Sequence, residues 1–424
     1  MDDAMGEKMT DVTPKNRWNL LGPGIVVAAT GVGAGDLVAT LIAGSRFGYA
    51  LLWAAVIGTV LKIALAEGVG RWSLATGRTI FDGWASLGPR GFNWASVYFG
   101  IYVAVWGFVY GATAMTATAL PLAALFPVLD LKVWAILAGL TGLGMVWFNS
   151  YPVFEKVMTA LVAVMFVTVV GLAVIVTPDI PAMLRGLIPM LPEGAAYYTL
   201  GLIGGVGGTI TMAAYGYWIM AKGWKGPAWM RVMRLDNRVG YIITGVFVVA
   251  MMIVGAELMY AAGIALAGGD RGLLDLDEVL RERFGDVVGT LFLVGFFATT
   301  FSSLIGVWHG VSLMFADFFA HVTKRAGEEA VRGEKSPAFR GYLFWLTFPP
   351  MALLFMDRPF GLIVAYGVLG ALFMPFLALT LIWLLNSERT PKEWRSGWLS
   401  NGMLAAAAVL FCALAGRELF GLIG

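Results

Sequence analysis

Apolar stretches of bilayer length follow one another along almost the whole chain, near residues 22–43, 48–72, 94–125, 132–150, 154–177, 198–222, 238–267, 287–320, 340–356, 360–386 and 399–422. Polar and charged residues gather in the short gaps between them. At roughly 20 residues per span, this pattern predicts about eleven transmembrane helices. Two of the apolar stretches are broken by glycine at matching places, GPGIVVAATGVGAGDLVATLIAG over 22–44 and TLGLIGGVGGTITMAAYGYWIMAKG over 199–223. A bilayer offers no water to loose backbone, so an interrupted helix survives only where its free N–H and C=O groups line a protein-enclosed cavity. The pattern therefore predicts non-helical backbone near 31–36 and 206–214, the two breaks facing each other at mid-membrane.

Paired breaks in two halves of a membrane protein predict an inverted-repeat transporter with its substrate site between them. The expected organisation is a polar tail (1–18) and one transmembrane domain (19–424). Within that domain, repeat one covers about 22–177, repeat two about 198–386, and an extra helix about 399–422. Small-xxx-small spacing, as in Gly204 with Gly208, is the other use for such glycines, since it lets helices pack closely.

Composition agrees with the pattern. Hydrophobic residues make up 59% of the chain and charged residues 13%, with a mean hydropathy of +0.79, which excludes an ordinary soluble domain. The longest polar stretch, about 321–340, is loop-sized, and no removable signal peptide is expected ahead of the long first span. The net charge of +2 says little, but the placement of Lys and Arg says more. With a cytoplasmic N-terminus, the basic residues of the tail and of the 222–238, 323–340 and 387–396 gaps all face the cytoplasm, as the positive-inside rule expects. An odd number of spans then puts the C-terminus outside, and the basic clusters read as topology signals, not as a nucleic-acid surface. Cys412 is the only cysteine, which excludes an intrachain disulfide and a thiolate metal cluster. His309 and His321 are too few for a zinc-enzyme site. No phosphate loop, nucleophile–base set or paired-carboxylate arrangement is visible, which argues against ATP-driven transport and against an enzyme.

Few ionisable or metal-ligating groups lie within the spans. Asp36 and Met212 stand at the two breaks. Asp36 supplies an anionic oxygen, with capping of the second half-helix as its alternative role. Met212 supplies a soft thioether suited to late transition metals, although most methionines simply pack apolar surface. His309, in the eighth span, is a candidate proton relay or a helix-to-helix hydrogen-bonding group. Glu67 precedes Arg71 by four residues, the spacing of a helical ion pair. Lys62 and Glu257 lie deeper, with partners that the sequence does not name.

The frame GPG at 22–24, AGSRFGY at 43–49 and LLW at 51–53, followed by GRWSLATGR at 70–78, resembles the Nramp (natural resistance-associated macrophage protein) divalent-metal transporter family. GTITM at 208–212, Phe301-Ser302-Ser303 and Met374-Pro375-Phe376 resemble its sixth, eighth and tenth spans. The resemblance implies an all-α, LeuT-type 5+5 inverted-repeat fold with about eleven transmembrane helices. It also implies a substrate site at Asp36, Met212, Gly33 and the main-chain oxygens of Thr30 and Thr209. This chain departs from the family pattern in three places. The family's DPGN becomes Gly33-Ala34-Gly35-Asp36, which moves the carboxylate by three residues. Its Met-Pro-His becomes Met212-Ala213-Ala214, and the acidic residues of its third span are missing between Tyr98 and Leu120.

The resulting expectation is a multi-pass protein of the plasma (inner) membrane, with its N-terminus in the cytoplasm. It would move a divalent cation such as Mn²⁺ or Fe²⁺ by alternating access, with the lipid bilayer, the metal ion and possible proton coupling as its partners and no resident cofactor. The alternative is another substrate on the same scaffold: Mg²⁺, a small organic cation or an amino acid, the last enclosed by Tyr215, Tyr217 and Trp218. A sensor without flux is a third class, without a soluble domain to support it.

Overall fold

The computed structural model describes residues 22–87, 93–205, 207–261, 271–356 and 359–423, which are helical nearly throughout and contain no strand. The first crossing is split into α1 (Pro23–Gly31) and α2 (Ala34–Phe47). It is followed by α3 (Leu52–Thr76), the short α4 (Ile80–Ala85), α5 (Trp94–Leu125), α6 (Leu131–Phe148), α7 (Tyr151–Ile175) and the short α8 (Ile180–Arg185). The sixth crossing is split again, into α9 (Ala196–Gly205), a 3-10 segment (Ile210–Ala214) and α10 (Tyr215–Ala221). Then come α11 (Met230–Gly255), α12 (Arg271–Phe284), α13 (Asp286–Val322), α14 (Glu329–Arg332), α15 (Pro337–Met351), α16 (Pro359–Asn386) and α17 (Trp398–Ile423). Helices α3, α5, α6, α7, α11, α13 and α17 are each long and apolar enough to cross a membrane unaided.

Local chemistry accounts for many of the helix ends. Pro23 opens α1, where its missing N–H costs nothing. Gly77 closes α3 in the left-handed conformation, and Thr79 with Asp82 forms a reciprocal capping box on α4. Asn93 and Asp130 cap α5 and α6 with their side chains.

Helix α13 is the central post of the bundle and packs against α1, α5, α7 and α15. Its Ser303, Gly306 and Gly310 lie three and four residues apart, so they share one face. A Cβ at Gly306 would lie 2.0 Å from Thr30 Oγ1 on α1, and one at Gly310 would lie 2.5 Å from the Trp218 ring on α10. This small-residue face lets both half-helices seat on the post.

One end of the bundle carries most of the ion pairs. There Arg71 and Arg234 meet Glu67 at 3.2 and 3.0 Å, Lys222 meets Glu155, and Arg332 joins α4 to α13. The expected Glu67–Arg71 pair is present and is extended by Arg234. At the opposite end, Tyr49 donates to Glu257 at 2.5 Å, and Glu257 also accepts the Asp179 N–H.

Candidate transport site

The two breaks meet. A Cβ on Gly31, the last residue of α1, would lie 2.3 Å from the Gly207 carbonyl, and one on Gly208 would lie 2.6 Å from Gly31 Cα. Gly207 and Gly208 have φ values of +78° and +86°, which only glycine adopts at low cost. Glycine is needed here twice over, for the backbone angle and for the approach of two main chains.

The first break is shorter than expected. Only Val32 and Gly33 are non-helical, and the helix resumes at Ala34, where the Gly33 carbonyl accepts the Leu37 N–H at 3.2 Å. Alanine is the strongest helix former, which favours restarting there and not at Asp36. Asp36 therefore stands at the third position of α2, inside its first turn, and not at the residue that starts the half-helix; its side chain lies outside the described residues. That position lies in the first turn, the positive end of the α2 dipole. The second break matches its expected extent among the described residues, with turn backbone at 207–209 and a 3-10 segment to Ala214.

The other candidate residues gather around this meeting point. Thr30 sits in the last turn of α1, where its carbonyl accepts a hydrogen bond from Ser303 Oγ at 2.9 Å. Ser303 is also 3.0 Å from the Tyr110 hydroxyl on α5, and a Cβ at Gly33 would lie 3.1 Å from Ser303 Oγ. Met212 is fully buried within the 3-10 segment. The Thr209 carbonyl accepts the Met212 N–H at 3.1 Å, so that oxygen already helps to close the turn. The neighbouring Gly208 carbonyl accepts from the Lys62 ammonium on α3. The structure thus brings Thr30, Gly33, Thr209 and Met212 to the paired breaks and adds Ser303, Tyr110 and Lys62.

His309 lies away from the breaks, toward the ion-paired end. Trp218 Nε1–H donates to His309 Nδ1 at 3.0 Å, which leaves the ring proton on Nε2, facing Glu334 Oε1 at 3.0 Å. The ring stacks on Phe154 with centroids 4.3 Å apart. His309 thus ties α10 and α13 to the segment before α15. The aromatic trio is dispersed: Tyr215 donates to Asp236, Tyr217 to Asp317, and Trp218 to His309.

Two polar assemblies at the ion-paired end escaped notice in the sequence. Asp236 of α11 is fully buried and accepts the Gly22 N–H at 2.8 Å, the Gly24 N–H at 2.5 Å and the Tyr215 hydroxyl at 3.2 Å. It caps α1 from another helix. The second assembly joins Asp82, Asp317 and His321, whose ligand-type atoms lie within 4.8 Å of one another. Arg332 stands against both carboxylates, at 3.0 Å from Asp82 and 2.6 Å from Asp317, and Thr79 and Tyr217 donate to Asp317. An arginine in that position makes the group an ion-paired lock, not a metal centre. Burial raises the Asp82 pKa, but hydrogen bonds from His321 and Arg332 outweigh it and hold the carboxyl below the usual range. An intramembrane acid such as Asp317 was the available signal, since it needs a partner by default.

An all-helical bundle with two opposed, glycine-broken crossings seated on one long post is the architecture of the LeuT-type fold class. Solved structures of that class are similar to it. A manganese transporter of Eremococcus coleocola, in complex with an aromatic bis-isothiourea substituted compound, superposes with a TM-score of 0.78 at 15% identity, covering 98% of this chain and 92% of that one. MhsT in complex with L-phenylalanine superposes at 0.58 with 13% identity, covering 94% and 97%. At such identities the likeness concerns the fold alone. Over residues 24–420 the chain matches the family described as natural resistance-associated macrophage protein-like, and it belongs to that Nramp family. Among its relatives, the divalent metal cation transporter MntH of Mycobacterium tuberculosis is 26% identical over 318 residues, 72% of each chain. The metal transporter Nramp6.2 of Populus trichocarpa is 25% identical over 312 residues, 69% of this chain and 56% of that one.

Proposed function

We propose that this protein is a secondary transporter that carries a divalent transition-metal ion, Mn²⁺ or Fe²⁺ in character, across the membrane by alternating access. The observation that carries this reading is the meeting of Gly31 with Gly207 and Gly208, which brings the end of α1 against the break that precedes the Met212 segment. Asp36 and the Met212 thioether are the side-chain ligands, and the carbonyls of Thr30 and Thr209 stand beside them. A thioether holds late transition metals better than it holds strongly hydrated Mg²⁺. Membership of the Nramp family and the names of the relatives support the same cargo.

The half-helices are the moving parts of this scheme. Access from the ion-paired end requires α1 to leave Asp236 and α10 to leave its contacts with Asp317 and His309. Those bonds hold that end shut while the site faces the other way. The ion-paired end also carries the basic loops, which supports a cytoplasmic location for it and for the N-terminal tail (1–18). The two repeats fall at about 22–177 and 198–386, with α17 appended, and the plasma membrane is the proposed location. Coupling to protons is weak in this account, because α5 carries no charged residue and Ala214 stands at the histidine position of the family motif.

Asp36→Asn tests the assignment. Mn²⁺ uptake into proteoliposomes should fall roughly tenfold or more, since the substitution removes the anionic ligand. Uptake equal to wild type would reduce Asp36 to a helix-terminal charge.

A further inference from the structure

Lys62 brings a charged group directly to the paired breaks, and its position is unusual for an ammonium. Its side chain is completely buried on α3, and its Nζ donates to the Gly208 carbonyl and lies 5.3 Å above the Phe411 ring. Gly208 is a residue of the break itself, in contact with Gly31 of the first break. The surroundings favour positive charge. Both α1 and α9 end here, so the carbonyl-bearing, negative ends of two half-helices converge on the spot. One further oxygen is available: Thr211 Oγ1 is buried without a hydrogen-bond partner among the described residues. It lies 2.8 Å from where a Cβ on Gly208 would stand. Convergent helix C-termini, an engaged carbonyl and an orphan hydroxyl form a cradle for a small cation, and the cradle already holds a tethered one.

We propose that the Lys62 ammonium is the resident cation of the transport site. It occupies the Gly208 carbonyl while the site is empty and withdraws when a divalent substrate arrives, so the protein needs no co-bound Na⁺ or K⁺ to keep its broken helices in register. This rests on the divalent-cation reading for the identity of the displacing ion, but not for the resident role itself. The ammonium on the Gly208 carbonyl and a divalent ion beside the adjacent Thr209 carbonyl repel each other, so Lys62 sets the affinity ceiling of the site. It acts as a positioning and specificity-determining residue, not as a ligand.

The test uses the full-length chain, purified in detergent, with Mn²⁺, Na⁺ and K⁺ as probes. The wild type should melt at the same temperature in choline, sodium and potassium chloride. Lys62→Gln keeps a donor for Gly208 but removes the charge. It should gain stabilisation from Na⁺ or K⁺ and bind Mn²⁺ roughly tenfold tighter or more, because a unit positive charge beside the substrate is gone. Lys62→Arg keeps the charge and should respond to Na⁺ as the wild type does. A purely structural lysine gives the opposite pattern, with Lys62→Gln weakened toward every ion and Lys62→Arg rescuing it. That pattern would overturn the proposal, as would a wild type stabilised by Na⁺ or a folded Lys62→Gln with neither a Na⁺ response nor altered Mn²⁺ affinity. If Lys62→Gln does not fold, Lys62→Met, which removes the charge and keeps the length, takes its place with the same expected and overturning outcomes. If neither protein binds Mn²⁺, the divalent reading fails, while the Na⁺ responses still decide the role of Lys62.

Discussion

Removing the Asp236 carboxylate should loosen one end of α1 and leave the rest of the bundle standing. Gly22 provides no capping side chain to α1, so its first N–H groups depend on Asp236, 212 and 214 residues away in sequence. Hydrogen bonds to a charged group contribute about 1.5–3 kcal/mol each, and Asp236 makes two to the α1 backbone as well as accepting from Tyr215. Asp236→Ala should therefore cost about 3–5 kcal/mol of local closure, with some recovered when water reaches the freed N–H groups. Asp236→Asn, which retains one acceptor oxygen, should cost about half of that. Even 1.4 kcal/mol of this bias shifts a closed–open equilibrium about tenfold. The assay is thiol labelling at Ala28→Cys, a buried α1 position, in a background with Cys412, an exposed residue, replaced by Ser. Labelling from the ion-paired side should speed up about tenfold or more in Asp236→Ala and by less in Asp236→Asn. Equal labelling and an unchanged melting temperature in both variants would refute the idea that Asp236 clamps α1.

Three further outcomes are expected. Gly31→Ala would drive a methyl group to 2.3 Å from the Gly207 carbonyl, so the broken helices must part; overpacking of about 1–3 kcal/mol should lower the melting temperature and abolish uptake, and a fully active variant would contradict the facing breaks. Met212→Ala should lower discrimination for Mn²⁺ over Mg²⁺ and Ca²⁺ more than it lowers total flux, because a thioether favours softer ions; unchanged selectivity ratios would remove Met212 from the site. Acidification of the liposome lumen during Mn²⁺ uptake should be weak, and a robust metal-dependent proton influx that survives His309→Ala would show the coupling argument to be wrong.

The broken crossings were legible because glycine clusters inside apolar stretches violate helix propensity twice, at matching places, and a bilayer forbids that without a reason. Their mutual contact followed from the same argument, and Gly31 against Gly208 bears it out. The exact restart of α2 was not legible, because Gly33-Ala34-Gly35-Asp36 offers both an N-cap candidate and a good helix former, and the alanine prevailed. The partners of Lys62, Asp236 and Asp317 were hidden for a different reason. Rules for caps and ion pairs look a few residues along the chain, whereas these groups bond to backbone and side chains brought from other helices by the tertiary packing. The partners of His309, Trp218 on α10 and Glu334 before α15, were hidden for the same reason.

The central claim is that a divalent transition metal is the cargo, and uptake by the wild-type chain in proteoliposomes tests it most directly. Mn²⁺ and Fe²⁺ should accumulate saturably, Mn²⁺ uptake should be inhibited by unlabelled Fe²⁺ in the same assay, and Mg²⁺ and a panel of amino acids should neither accumulate nor compete. Saturable uptake of Mg²⁺ or of an amino acid, with no Mn²⁺ or Fe²⁺ flux from a folded protein, would contradict the account.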